Sequence, residues 1–130
     1  MVVPRFVEAA INNKDIIIHG DGSQSRSFTW VGDVIEYFIR LAKLKTYGEI
    51  YNIGQTEEIS IKELAELVIN TTKSNSELTF LSHKDVFGDK FEDPKRRTPN
   101  IDKIIKATGY KPSYDIKTMI HEIVEFKRQD

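Results

Sequence analysis

The sequence contains no cysteine, which excludes disulfides, thiolate nucleophiles and cysteine-based metal sites. It also lacks an excess of charge. Of its residues 30% are charged, yet the formal net charge is −1, so the basic surplus of a nucleic-acid or membrane-surface protein is missing. No apolar run approaches the roughly 18 residues of a membrane span. No charged leader followed by a long apolar run opens the chain, so a signal peptide is not expected. His19, His83 and His121 are scattered, without the acidic spacing that builds a metal site. Repeats and low-complexity tracts are absent too. These absences lead to a cytoplasmic soluble domain of 130 residues, 39% hydrophobic and long enough to bury a core.

The apolar residues that are present fall into regular patterns. Val3, Phe6, Val7, Ala10 and Ile11 predict a helix over 3–13, with Pro4 tolerable in its first turn. Ile16, Ile17 and Ile18 read as a strand entering a turn on Gly20-Asp21-Gly22, where Gly supplies positive φ. A short β-rich return of Phe28, Thr29, Trp30 and Val31 follows, with Phe28 and Trp30 read as core. Asp33 then caps an amphipathic helix on Val34, Ile35, Phe38, Ile39, Leu41 and Ala42 that ends near Lys45. Glu49 to Ile53 alternates as a strand stopped by Gly54. Ser60 and Glu63 form a capping box, opening a helix with Ile61, Leu64, Ala65, Val68 and Ile69 on one face. Leu78 to Leu81 is a short strand. Residues 82–100 are long, charged and poorly periodic, as functional or disordered loops are. Helices over Ile101–Thr108, stopped by Gly109, and from Asp115 to about Lys127 finish the chain.

Turn chemistry leaves one residue of the central loop unexplained. Arg26 is a lone cation in a Gly/Ser loop between two apolar segments. A guanidinium offers five donors in a rigid fork that suits phosphate oxygens, so one reading is a phosphate clamp. The other is a surface arginine in a hairpin loop.

Five ordered segments bear on that choice. They are Val3-Pro4-Arg5-Phe6-Val7, the run Gly20 to Phe28 with Val31-x-Asp33-Val34, Tyr51-Asn52-Ile53-Gly54, Phe91 to Ile101, and Gly109-Tyr110-x-Pro112. In this order they resemble the C-terminal half of the extended short-chain dehydrogenase/reductases that act on nucleotide sugars. These are the NAD-dependent epimerases, 4,6-dehydratases and UDP-glucuronate decarboxylases. The departures are Trp30, Gly32, Asn100 and Tyr110, where the family has Tyr, Asp, Asp and Trp. The first and fourth segments resemble the UDP-sugar epimerase and decarboxylase branches more than the dTDP-glucose dehydratases.

The resemblance implies a fold: a small α/β lobe of about four short strands and five helices. It would be a single nucleotide-sugar-binding domain over 1–130, without the Rossmann sheet of the NAD lobe. In the family the first helix lies mid-chain, so Met1 would mark an internal cut. It also implies that the whole enzyme, a homodimer, oxidises its sugar by hydride transfer to NAD before the keto intermediate epimerises, eliminates or decarboxylates. This chain would grip the nucleoside diphosphate of a UDP- or dTDP-hexose and bind no cofactor alone. The sequence agrees with that division. No Gly-x-x-Gly-x-x-Gly or Gly-x-Gly-x-x-Gly is present to bring a pyrophosphate to a helix N-terminus. Residues Tyr37, Tyr47, Tyr51, Tyr110 and Tyr114 are followed four positions later by Leu41, Tyr51, Gln55, Tyr114 and Thr118. The catalytic Tyr-x-x-x-Lys pair is therefore missing, and no catalytic residue is expected.

The resemblance further assigns contacts. Arg26 matches the diphosphate-clamping arginine, and Arg97, rather than Arg96, best matches a second one; a solvated basic pair is the other reading of Arg96 and Arg97. Asn52 either reaches the nucleotide or closes a strand through its own backbone. Ile18 and His19 would lie against the base or ribose through backbone groups, with Gln24 a further polar candidate. Two other functions stand beside this one. The first is a stand-alone nucleotide-binding or protein-interaction module, and the second a structural fragment with exposed apolar surface.

Overall fold

Phe6, Val7, Ile16, Ile18, Leu64, Val68, Ile120 and Val124 meet in one buried cluster, and the fold is the arrangement that brings them together. The computed structural model describes residues 1–45, 47–82 and 94–129. In chain order the elements are α1 (Val2–Ile11), β1 (Ile16–His19), β2 (Ser25–Ser27), α2 (Val31–Lys43), β3 (Glu58–Ser60), α3 (Ile61–Thr72), β4 (Leu78–Leu81), α4 (Asp102–Thr108) and α5 (Ile116–Gln129). The mixed α/β lobe read from the sequence is the one observed.

Two small sheets organise the helices. β1 and β4 pair in parallel, with Ile16 opposite Leu78 and His19 opposite Leu81. β2 and β3 pair antiparallel, with Arg26 opposite Ile59 and Ser27 opposite Glu58. Helices α1, α3 and α5 pack on one another beside β1. Removing each large aliphatic side chain of this cluster from water contributes about 1.5–3 kcal/mol. A second cluster forms around Tyr37, Ile101 and Ile104, where α2 meets α4.

Local signals place the helix ends. Ser60 Oγ accepts from the Glu63 amide while the Glu63 carboxylate accepts from the Ser60 amide, the reciprocal cap that the sequence predicts. Gly109, at φ 67°, ends α4 in the left-handed region.

Three expectations are corrected. First, Glu49 to Ile53 is not a strand, for among the described residues no strand lies beside it to complete a ladder. Tyr51 and Ile53 instead pack on the second cluster. Second, the return strand is Ser25–Ser27 rather than Phe28–Val31. Phe28 and Trp30 leave the ladder to pack on the main core, Trp30 stacking on Tyr114 at 5.3 Å, and Val31 already begins α2.

Third, Asp33 is no cap. It sits inside α2, buried, and accepts from the Tyr110 hydroxyl (2.5 Å), the Ser113 amide and hydroxyl (3.1 and 3.0 Å) and the Tyr114 amide (3.4 Å). That network turns Tyr37 inward. The apolar positions Val31, Ile35, Phe38 and Ile39, on the opposite side of α2, are left 45–61% exposed.

Candidate functional site

The site begins where β1 ends. Gly20 and Gly22, at φ 78° and 75°, bracket a turn whose Asp21 Oδ1 accepts from the Ser23 amide and hydroxyl at 2.9 and 2.7 Å. Those bonds hold the Asp21 carboxyl below the usual range. The turn rests on the start of α3, since the Lys62 amide donates to Gly22 O and the Ile61 amide to Gln24 O. A Cβ on Gly22 would come within 3.0 Å of Lys62 Cβ, so the close approach needs glycine. Gln24 Nε2 donates to His19 O at 2.8 Å and bridges the loop. Both residues are half-buried. Ile18 lies wholly in the core, with its backbone in the β1–β4 ladder.

β2 then carries Arg26 to the 94–98 segment. The Ser25 amide donates to Lys95 O at 2.9 Å, and Arg26 Nη1 donates to Pro94 O at 2.8 Å and Ser25 O at 2.6 Å. The Arg26–Pro94 bond joins positions 68 residues apart. Arg26 is half-buried beside Phe28, Trp30, Met119 and Ile120.

Glu58 on β3 fastens the same segment. Its carboxylate receives Arg96 through two nitrogens, at 2.5 and 3.1 Å, with Ser25 Oγ at 2.6 Å and Thr98 Oγ1 at 2.6 Å. Arg96, then Ser25 and Thr98, hold this carboxyl down to about 2, and Glu58 in turn raises Arg96. Arg97, between the two held residues, is exposed and makes no hydrogen bond or ion pair with a described residue. Two residues further on, Pro99 packs on buried Gly54, and Asn52 Nδ2 donates to Asn100 O at 3.2 Å.

The structure therefore brings Arg26, Arg96 and Arg97 to one segment, with Asn52 joined to it through Asn100. Gln24 and His19 meet each other on the turn, and Ile18 contributes backbone only. Reading the sequence missed Glu58, Ser25 and Thr98 because their signal is a contact between positions 33 and 40 residues apart. His83 and the Phe91-Glu92-Asp93 start of the fourth motif lie outside the described residues. His121 is exposed on α5.

The two tyrosines whose pKa moves, Tyr37 and Tyr110, are pushed up by burial first, the wrong direction for a general base. The turn after β1 leads into β2 and not into a helix, so the described residues do not fit a dinucleotide cofactor. Among those residues no group of three or more His, Asp or Glu could hold a metal. No helix among them is long and apolar enough to cross a membrane.

Known proteins are similar to this chain along nearly its whole length. The family model described as GDP-mannose 4,6 dehydratase matches residues 1–123. The UDP-N-acetyl-alpha-D-glucosaminuronate decarboxylase of Bacillus cytotoxicus is 33% identical over 128 residues, 98% of this chain and 40% of that protein. The human dTDP-D-glucose 4,6-dehydratase is 33% identical over 130 residues, 99% of this chain and 37% of that protein. Among solved structures, UDP-glucuronic acid 4-epimerase from Bacillus cereus, in complex with UDP-glucuronic acid and NAD, superposes with TM-score 0.86 at 24% identity, covering 99% of this chain and 40% of its own. UDP-glucose 4-epimerase from Thermotoga maritima, solved with UDP-glucose, gives TM-score 0.87 at 24% identity, with 99% and 40% covered. The chain thus spans about two fifths of the length of these relatives.

Proposed function

This chain belongs to the GDP-mannose 4,6 dehydratase family, among the NAD-dependent nucleotide-sugar epimerases and dehydratases, and from that premise we propose that it is the substrate-gripping portion of such an enzyme. Its ligand is the nucleoside diphosphate of a UDP- or dTDP-hexose. Arg26 and Arg97 clamp the diphosphate, and Asn52 and the backbone at Ile18 and His19 line the nucleoside. The observation that supports this reading is the attachment of the 94–98 segment to β2 and β3, which joins the strand of Arg26 to the segment that carries Arg97. Each charge-assisted hydrogen bond to a phosphate contributes about 1.5–3 kcal/mol, so two converging guanidinium groups make a strong grip.

NAD belongs to the rest of a relative-length chain, because the residues here do not fit it. No step of this lobe's work passes through the cofactor. Its work is positioning: holding the diphosphate fixes where the hexose lies, converting an encounter into an oriented complex. The same missing portion is the occupant we assign to the exposed stripe of Val31, Ile35, Phe38 and Ile39, four apolar residues on one side of α2.

Titration of the complete protein with UDP-glucuronic acid tests the reading. Binding is expected, and Arg26→Ala raises its Kd by about one to two decades, the scale of one lost charged contact. Absent binding, or unchanged affinity in that variant, overturns it.

A further inference from the structure

Glu58 has no place in the proposed contacts, yet it is the most heavily bonded carboxylate beside them. Its two oxygens receive Arg96 twice, Ser25 and Thr98. Side chains alternate across a strand. With Arg26 opposite Ile59 and Ser27 opposite Glu58, Arg26 and Ile59 take one face of the β2–β3 ribbon. Ser25, Ser27, Glu58 and Ser60 take the other, and the 2.6 Å Ser25–Glu58 bond agrees.

The 94–98 segment follows from this. Arg96 and Thr98, two residues apart, both bind Glu58. In an extended stretch, residues two apart share a side and the residue between them faces away. A grip on 96 and 98 in such a stretch would turn Arg97 from the Glu58 face toward the face that carries Arg26. Arg96 is spent on this grip, which explains why two adjacent arginines have unequal roles. Its charge is already answered by a bidentate carboxylate.

We propose that Glu58 is a positioning residue: by holding Arg96 and Thr98 it orients Arg97 toward the Arg26 face, and so sets the affinity for the nucleoside diphosphate. This rests on the reading of Arg97 as a clamp residue. A purely structural Glu58 would steady the fold without acting through one particular arginine.

The test is a double-mutant cycle on the complete protein, reading the Kd for UDP-glucuronic acid alongside thermal melting. Glu58→Gln keeps the shape but points an amide donor at groups that are themselves donors, and it should weaken binding about tenfold, the scale of one misplaced charged contact. In an Arg97→Ala background the same change should alter Kd by less than about twofold, since its effect runs through Arg97. Thr98→Val, which removes one neutral hydrogen bond, gives a milder version should Glu58→Gln fold poorly, and its loss should likewise vanish without Arg97. Equal weakening with and without Arg97, or no weakening in either variant, overturns the proposal while leaving the nucleotide reading intact. No binding by the unaltered protein overturns both.

Discussion

Gly54 and Pro99 touch so closely that a Cβ on Gly54 would fall 2.5 Å from Pro99 Cγ. Real carbon pairs do not approach that distance, and Pro99 is a ring that cannot rotate away. Gly54→Ala must therefore push the 97–100 segment outward. The expected result is a modest loss of thermal stability together with UDP-glucuronic acid affinity weakened about tenfold, equivalent to ~1.4 kcal/mol. Calorimetric titration of the variant checks it, and full affinity would show that the contact does not place Arg97.

The Glu58 carboxyl is held down to about 2 from 4.5 by Arg96, Ser25 and Thr98. A carboxyl whose pKa falls on folding stabilises fully above its unfolded value, and that contribution is lost as pH drops through the folded one. Attachment of the 94–98 segment should thus be complete above about 4.5 and loosen between 4.5 and about 2. The Ser25 amide, bonded to Lys95 O, reports it by hydrogen exchange. Its protection should fall through that window in the native protein and show no such step in Glu58→Gln.

Asp33 and Tyr110 are joined across 77 residues, tying α2 to the stretch before α5. Burial works to raise the Asp33 carboxyl, but bonds from Tyr110, Ser113 and Tyr114 prevail and hold it below its ordinary 3.8. Its contribution is therefore present above pH 3.8 and disappears as pH falls through the lower folded value. Asp33→Asn leaves a buried amide facing donors and should cost about 1–3 kcal/mol at neutral pH. Urea unfolding at pH 7 and pH 3 should show that deficit shrinking in acid; a deficit unchanged by pH contradicts the role.

On α2 the two faces predict opposite outcomes. Phe38→Asp alters the exposed stripe and should change the stability of this chain by within about 0.5 kcal/mol, while lowering hydrophobic-dye binding. Tyr37→Ala empties a fully buried site and should cost roughly 3 kcal/mol. Denaturant unfolding of both variants compares them directly. Comparable losses would mean that the stripe is covered within the chain itself.

What the sequence shows and what it hides divide along one line. The capping box at Ser60 and Glu63, the Gly109 stop and the inward face of α5 are local patterns, and each is visible in the sequence because its cause lies within a turn or two. Asn52 and Arg97 are singled out only through resemblance to a family, whereas Arg26 also stands out as a lone cation in its loop. The face of α2 misleads, because four apolar residues point outward while Asp33 and Tyr37 point in, an inversion that depends on Tyr110 and Ser113 far along the chain. β3 is only three residues long and owes its existence to β2. Glu58 carries no local mark at all. Its meaning comes from Arg96 and Thr98, which the fold alone brings near.

The central claim is that this lobe grips a nucleoside diphosphate through arginines on two segments, and Arg97 is its most direct test, being exposed and making no bond to another described residue. The measurement is the Kd for UDP-glucuronic acid of the complete protein with and without Arg97→Ala, with melting temperature recorded for both. The account predicts affinity weakened about ten- to hundredfold at unchanged melting temperature. Equal affinity in the two proteins would contradict it.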